Sequence, residues 1–420
     1  MDPLAAIRDK VKSGQRLSAA DGEYLFRDDV DLHAVGELAD LVRRRKGRGR
    51  GAAPAQSAGP ATAAPPEDRA PSPEDVVYYN LNAHLNPTNV CVYRCALCAY
   101  SCDPDDARAY FLTDEQVLAR AQEAADAGCT ELHIVGGAHP NKPFAWYAAA
   151  IGRLHAAFPR LHLKAFTAVE IDWFAHQTRR TPRSILEELI AAGLGSLPGG
   201  GAEIFDPEVR SVICPRKADA RAWLAIHRTA HELGLRSNAS MLYAHIEHPE
   251  HRVDHLLQLR RLQDDTGGFQ AFVPLAFHPE NTPLGASGIT ETGAGGVCRN
   301  ITPGASLQAC WPLLRRTGLL DLRVMAVSRL MLDNFDHLKA YWISLGIGTA
   351  QVALAYGADD LDGTVRHERI HHDAGAQSPK TLAVEELRAL IVEAGREPVE
   401  RDTLYRRVER EGKLWEVGGG

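Results

Sequence analysis

The chain has 420 residues, 45% of them hydrophobic and 24% charged, which is enough apolar surface for a large buried core. A formal net charge of −7 excludes a general binder of nucleic acid or of anionic membrane surfaces. No long unbroken apolar run occurs and MDPLAAIRDKVKSGQRL lacks the apolar centre of a secretory signal, so a cytoplasmic protein is expected, without membrane or nucleic-acid partners.

Residues 1–45 read as a helical N-terminal segment, with Leu32, Val35, Leu38, Leu41 and Val42 at helical spacing. Residues 46–75, including GRGRGAAPAQSAGPATAAPPEDRAPSPED, are rich in Ala, Pro and Gly and nearly lack large apolar side chains. Such a stretch cannot bury enough surface to offset its ordering entropy, and a disordered linker is predicted. From Val76 the pattern becomes regular. Apolar runs at 81–90, 130–135, 161–166, 194–197, 235–242 and 270–276 predict six strands.

Helical stretches lie between these runs. Thr113 followed by Gln116 is a capping-box pattern, Gly128 closes that helix, and Gly193 and Gly234 close two more. Six strands alternating with helices imply parallel βα units, and over 76–284 a partial (βα)6 TIM-like barrel is predicted within the α/β class. Residues 285–318 form a Gly- and Thr-rich insertion that breaks the rhythm. Residues 319–420 return to helical periodicity and are expected to close the barrel as a C-terminal addition.

The strongest chemical signal is CVYRCALC, a CxxxCxxC pattern of Cys91, Cys95 and Cys98 directly after the first predicted barrel strand. Thiolates are soft ligands, and three on one short loop can hold a four-iron four-sulfur cluster while leaving one iron open. A structural zinc site would need a second cysteine or histidine pair, and none follows at suitable spacing. Cys102 could complete a closed four-thiolate set, which would make the protein a non-catalytic electron carrier. Cys129 and Cys214 stand alone and are expected in the core.

CxxxCxxC after the first strand of a partial barrel resembles the radical S-adenosylmethionine superfamily. Leu97 stands where an aromatic residue usually precedes the third cysteine. A narrower likeness runs through HIVGGAHP (133–140), KAFTAVEI (164–171), LPGGGAEIF (197–205), ICPRK (213–217), SNASMLYAHIE (237–247), FVPLAFHPENT (272–282), LDNFDHLKAYW (332–342), GADDLDGT (357–364) and ERDTLY (400–405). These phrases resemble the aminofutalosine synthase family, leaving 47–73 and 286–317 outside the match.

The resemblance implies that the open iron chelates S-adenosylmethionine and that the reduced cluster yields a 5′-deoxyadenosyl radical. That radical would add to the enolpyruvyl double bond of 3-[(1-carboxyvinyl)oxy]benzoate to give 6-amino-6-deoxyfutalosine, a menaquinone precursor. It also implies a reducing donor such as flavodoxin or ferredoxin. A sibling, dehypoxanthine futalosine cyclase, would abstract hydrogen instead.

Several residues are then expected at the site. Gly136 and Gly137 end the second barrel strand and, with Leu97, are expected beside the cosubstrate; the superfamily's usual acid is replaced by Ala138. By its position in the superfamily, Glu170 is expected to accept ribose hydroxyls. After the glycine run 199–201, Glu203 and Arg210 could cradle a charged ligand in catalysis, and His278 should face the same mouth. Arg216 and Lys217 could supply positive charge for the substrate's carboxylates. His133, inside a strand, is expected to pack in the core, and HERIHH (367–372) to be a loop or to line the substrate, since it lacks HExxH spacing.

Overall fold

The computed structural model describes residues 2–50, 72–286, 291–292, 296–297 and 317–418. Its strands, in chain order, are β1 Val76–Asn80, β2 Asn82–Leu85, β3 Glu131–Ile134, β4 His162–Ala165, β5 Ser196–Leu197, β6 Arg236–Tyr243, β7 Phe269–Ala276, β8 Glu291–Thr292, β9 Gly296–Val297, β10 His337–Leu338, β11 Asp360–Gly363, β12 Glu397–Glu400, β13 Val408–Glu411 and β14 Leu414–Val417. Seven of them form one parallel sheet in the order β10-β7-β6-β5-β4-β3-β2, curled into a half-barrel with helices outside. The α/β partial barrel is therefore present, with its six predicted strands as β2 to β7 and a seventh, β10, that two residues were too few to announce.

Register explains how the sheet divides its faces. Leu132 pairs with Ala83 and Leu163, and Ile134 with Leu85 and Ala165, giving apolar rows that the outer helices cover. The alternate row joins His84, His133 and Lys164 across three neighbouring strands, and these side chains line the interior. Between the strands, the helix Asp114–Asp126 begins with a capping box of Thr113 and Gln116. The helix Pro182–Ala192 ends at Gly193, whose φ of 113° suits glycine.

The C-terminal region is mixed rather than helical, because its strands complete the wall. Leu338 accepts from the Asp359 amide at 3.1 Å and Ala340 donates to the Asp360 carbonyl at 2.8 Å, which joins β10 to β11. A few residues on, His84 donates to Arg366 at 2.7 Å and Arg366 to Asn82 at 3.2 Å. The segment 359–366 thus spans the gap between the two edge strands of the half-barrel. β11 also pairs with β1, which pairs with β12, in a parallel three-stranded sheet. Gly363 fits there because a Cβ would lie 2.2 Å from the Asn80 carbonyl oxygen.

The N-terminal segment is helical as expected (Pro3–Ser13, Ala19–Leu25 and Leu32–Arg50), and its third helix packs along Gly318–Met331. That third helix runs past the predicted boundary at 45 to Arg50. The rest of the predicted linker, 51–71, lies outside the described residues, as does most of the predicted insertion 285–318. Arg43 donates to the Glu74 carbonyl at 2.6 Å, and a Cβ on Gly47 would meet the Pro73 carbonyl oxygen at 2.5 Å, so the chain leaves and returns at one place. Excising 51–71 and joining the flanks with a few residues is expected to keep Tm within about 4 °C of the full chain in calorimetry, since the excised stretch has almost no large apolar side chains to contribute to a core. Among the described residues no helix is long and apolar enough to cross a membrane.

Candidate active site

At the C-terminal ends of β2 to β7, where barrels carry their chemistry, lies a cavity of about 340 Å³. Its mouth is made by the loop after β2. Backbone bonds pin that loop on several sides: Cys91 donates to Cys102 at 3.1 Å, Val92 to Ala138 at 3.0 Å, and Ala96 to Ile213 at 2.9 Å. Arg94 sits at φ 47°, a strained value for a residue with a side chain, and its guanidinium holds the Ser101 carbonyl at 2.5 Å. Such a loop is set in shape before any ligand arrives.

Cys91, Cys95 and Cys98 all line the cavity, and none is in a disulfide. Burial pushes the Cys95 thiol up to about 12 and raises that of Cys91 as well, so a metal's positive charge is what would hold them as thiolates. Among the described residues no three Cys, His, Asp or Glu side chains converge on the point a single ion would need. A four-iron cluster takes each thiolate on a separate iron, so three sulfurs spread along one rigid loop fit it better than they fit zinc. Cys102 is no fourth ligand: fully buried and outside the cavity, its Sγ contacts the Asn89 carbonyl at 3.7 Å.

The strand ends meet this loop closely. A Cβ on Gly137 would fall 2.2 Å from the Val90 carbonyl oxygen, so only glycine allows the approach. The Gly136 amide donates to Glu170 at 3.0 Å. Glu170 also accepts from the Thr167 amide at 2.8 Å, closing the capping box of the helix Ala168–Thr178, and burial raises its carboxyl to about 7. Gly136, Gly137, Glu170 and Leu97 all line the cavity.

Glu203 lines it too, at φ 47° and in a short ion pair with the buried Lys217. Burial works against its charge, but Lys217 outweighs that and holds the carboxyl below its ordinary value. His278 lines the cavity and its Nε2 lies 3.1 Å from the Ser344 carbonyl.

Three expectations need correction. Arg210 does not line the cavity; its guanidinium donates to the carbonyls of Ala202 at 2.7 Å, Ile204 at 3.1 Å and Ala218, and so shapes the loop carrying Glu203 instead of meeting a ligand. Arg216 turns outward to the Tyr93 carbonyl at 3.0 Å, leaving Lys217 as the inward cation of that pair. His133 is not core packing: it lines the cavity, stacked on His84 with centroids 4.7 Å apart. The HERIHH stretch contributes Glu368, Ile370 and His371 to the wall.

Sequence reasoning missed a charged floor. Glu131, Lys164, Lys339 and Asp362 line the same cavity, with Lys164 paired to Glu131 and Lys339 to Asp362, each at 2.6 Å. The available signal was a charge in mid-strand, as in ELHI and HLKA, where a fully buried strand would be apolar throughout.

Residues 85–259 match the family model of the radical SAM superfamily, and 315–413 match that of the CofH/MqnC C-terminal region. A Streptomyces coelicolor protein named aminodeoxyfutalosine synthase is 43% identical over 95% of this chain and 92% of its own length. One of the same name from Thermus thermophilus is 41% identical over 99% and 98%. This chain belongs to the aminodeoxyfutalosine synthase family of radical S-adenosylmethionine enzymes. An archaeal relative from Methanopyrus kandleri, named 5-amino-6-(D-ribitylamino)uracil–L-tyrosine 4-hydroxyphenyl transferase, is 40% identical over 79% of this chain and 85% of its own. In fold, the family member resembles the crystal structure of methylornithine synthase, with a TM-score of 0.61 at 15% identity over 93% of this chain and 97% of that one. As an enzyme of this superfamily it uses a four-iron four-sulfur cluster and S-adenosylmethionine.

Proposed function

We propose that this enzyme joins the 5′-deoxyadenosyl group of S-adenosylmethionine to 3-[(1-carboxyvinyl)oxy]benzoate, forming 6-amino-6-deoxyfutalosine for menaquinone biosynthesis. The observation that carries the reading is the near full-length identity to proteins named for that synthase, over a chain whose cavity joins a three-cysteine mouth to a charged floor. When bound, the cluster and S-adenosylmethionine would supply the adenosyl radical with release of methionine; a donor such as flavodoxin or ferredoxin would supply the initiating electron, and a closing one-electron oxidation of the decarboxylated adduct would give it back.

The protein's own residues hold and shield. Cys91, Cys95 and Cys98 ligate the cluster. Gly136 and Gly137 give the cosubstrate close access to the strand end, Leu97 packs beside it, and Glu170 accepts its ribose hydroxyls while bonded to the Gly136 amide. Val135, Leu242, Val273 and Leu275 make an apolar wall that keeps water from the reacting alkene. Glu203, fixed by Lys217, and His278, fixed by Ser344, present polar groups near the mouth for orienting the substrate and for proton movement. Arg210 acts on Glu203 through the loop it shapes.

The match to the CofH/MqnC C-terminal region favours a second reading, a cyclase-like enzyme that abstracts hydrogen. The two predict different fates for the adenosyl group. Anaerobic incubation of reduced enzyme with S-adenosylmethionine and the enolpyruvyl benzoate, followed by mass spectrometry, should show an adenine-bearing product that has lost carbon dioxide, with little free 5′-deoxyadenosine. Free 5′-deoxyadenosine accumulating in step with turnover, without an adduct, would overturn the synthase reading.

A further inference from the structure

The charged floor lies far from the cysteines along the barrel axis. Glu131 opens β3, three residues before Ile134 at the strand's end, and a strand rises about 3.3 Å per residue, so it sits on the order of 10 Å below that end. His84, His133 and Lys164 form one layer across β2, β3 and β4, and Lys164 reaches down from it to Glu131. Lys339 enters from the other side, on the residue after β10, against Asp362 of β11. The lysine side chains are 2% and 4% exposed, yet both line the cavity rather than being sealed in the core.

Buried ion pairs are poor devices for stability, because desolvation cancels most of their attraction and apolar replacements often do as well. Two such pairs at the end of a cavity with apolar walls therefore ask for another explanation. Each ammonium carries three N–H donors, and among the described residues each gives one to a carboxylate oxygen. The remaining hydrogens are available to a guest. Glu131 and Asp362 hold the two lysine side chains in position through these bonds.

The substrate of the proposed reaction has two carboxylates at different distances from the reacting alkene. The enolpyruvyl carboxylate is attached to the alkene itself and must stay near the mouth. The benzoate carboxylate lies beyond the aromatic ring, so with the alkene at the mouth it points toward the floor.

We infer that Lys164 and Lys339 form the anchor for the ring carboxylate of the substrate, a subsite for an aryl acid held between two preformed lysine–carboxylate pairs and flanked by the His84–His133 stack. This rests on the synthase reading. The subsite fixes how far the substrate descends, and so which of its atoms meets the adenosyl carbon.

The test compares two ligands on cluster-loaded protein under anaerobic equilibrium dialysis: the enolpyruvyl benzoate and the analogue whose ring carboxylate is a carboxamide. The native protein should prefer the acid by on the order of tenfold to a hundredfold, the range expected for losing hydrogen bonds to a charged group. Single lysine variants would strand a buried acid, so the variants are the charge-neutral pairs Lys164→Met with Glu131→Gln and Lys339→Met with Asp362→Asn. In each, the preference should fall toward one. Native protein that binds the carboxamide as tightly as the acid overturns the inference without any variant, and so does a preference surviving in both pairs. If native protein makes adenosyl adduct from the acid yet ignores the carboxamide exchange, the anchor alone is wrong. If it neither binds the acid nor forms adduct, the synthase reading itself has failed.

Discussion

Replacing any one of Cys91, Cys95 or Cys98 with alanine is expected to abolish cluster binding and with it all turnover. Each sulfur would ligate a different iron, and two protein thiolates are too few to retain a cluster that already has one iron open. The loop offers no substitute. Cys102 is turned to the Asn89 carbonyl, and its backbone is spent on Cys91 and Asn89, so it cannot swing inward without undoing the turn that places Cys91. Cys102→Ala is therefore expected to keep full iron content. Iron and sulfide analysis with visible absorption after anaerobic reconstitution would check both. A Cys102 variant without cluster, or a Cys95 variant with one, would break the assignment.

The second large effect is expected far from the mouth. Arg401, fully buried, follows β12 and donates through Nε to Asp360 at 2.7 Å, while Tyr405 donates to the same carboxylate at 2.7 Å. Asp360 belongs to β11, the strand that joins β1 to β10. Arg401→Met leaves Asp360 as a buried charge without its cation, and a loss of about 3–5 kcal/mol is expected in denaturant unfolding. Adding Asp360→Asn removes the stranded charge and should restore part of that loss. If the single variant unfolds at the native midpoint, the pair does not hold the closure together.

The parts legible in the sequence share a physical basis. The six strands β2 to β7 showed as apolar runs because their outer faces are buried under helices, and the helix ends showed at Thr113, Gly193 and Gly234 because capping needs particular residue types. The cysteine loop was legible because its ligands are close in sequence. β11 was not: DLDG carries two aspartates, since its side chains serve Arg401 and Lys339. Arg210 was misjudged because spacing from a glycine run cannot say which way a guanidinium turns, and here three carbonyls claim it. His133 was read as core since a strand interior usually is, but in a barrel the inward face is the ligand's face.

The strap 359–366 has a consequence for how the molecule is made. Asn82 and Thr364, which bond across the closure, are 282 positions apart in the chain. During synthesis the cysteine loop and six staves emerge well before the strap that seals them, and contacts of such separation are slow to form. The nascent barrel thus passes through a stage with an open side next to His84 on β2, which closes only when residues 359–366 bond to both edge strands.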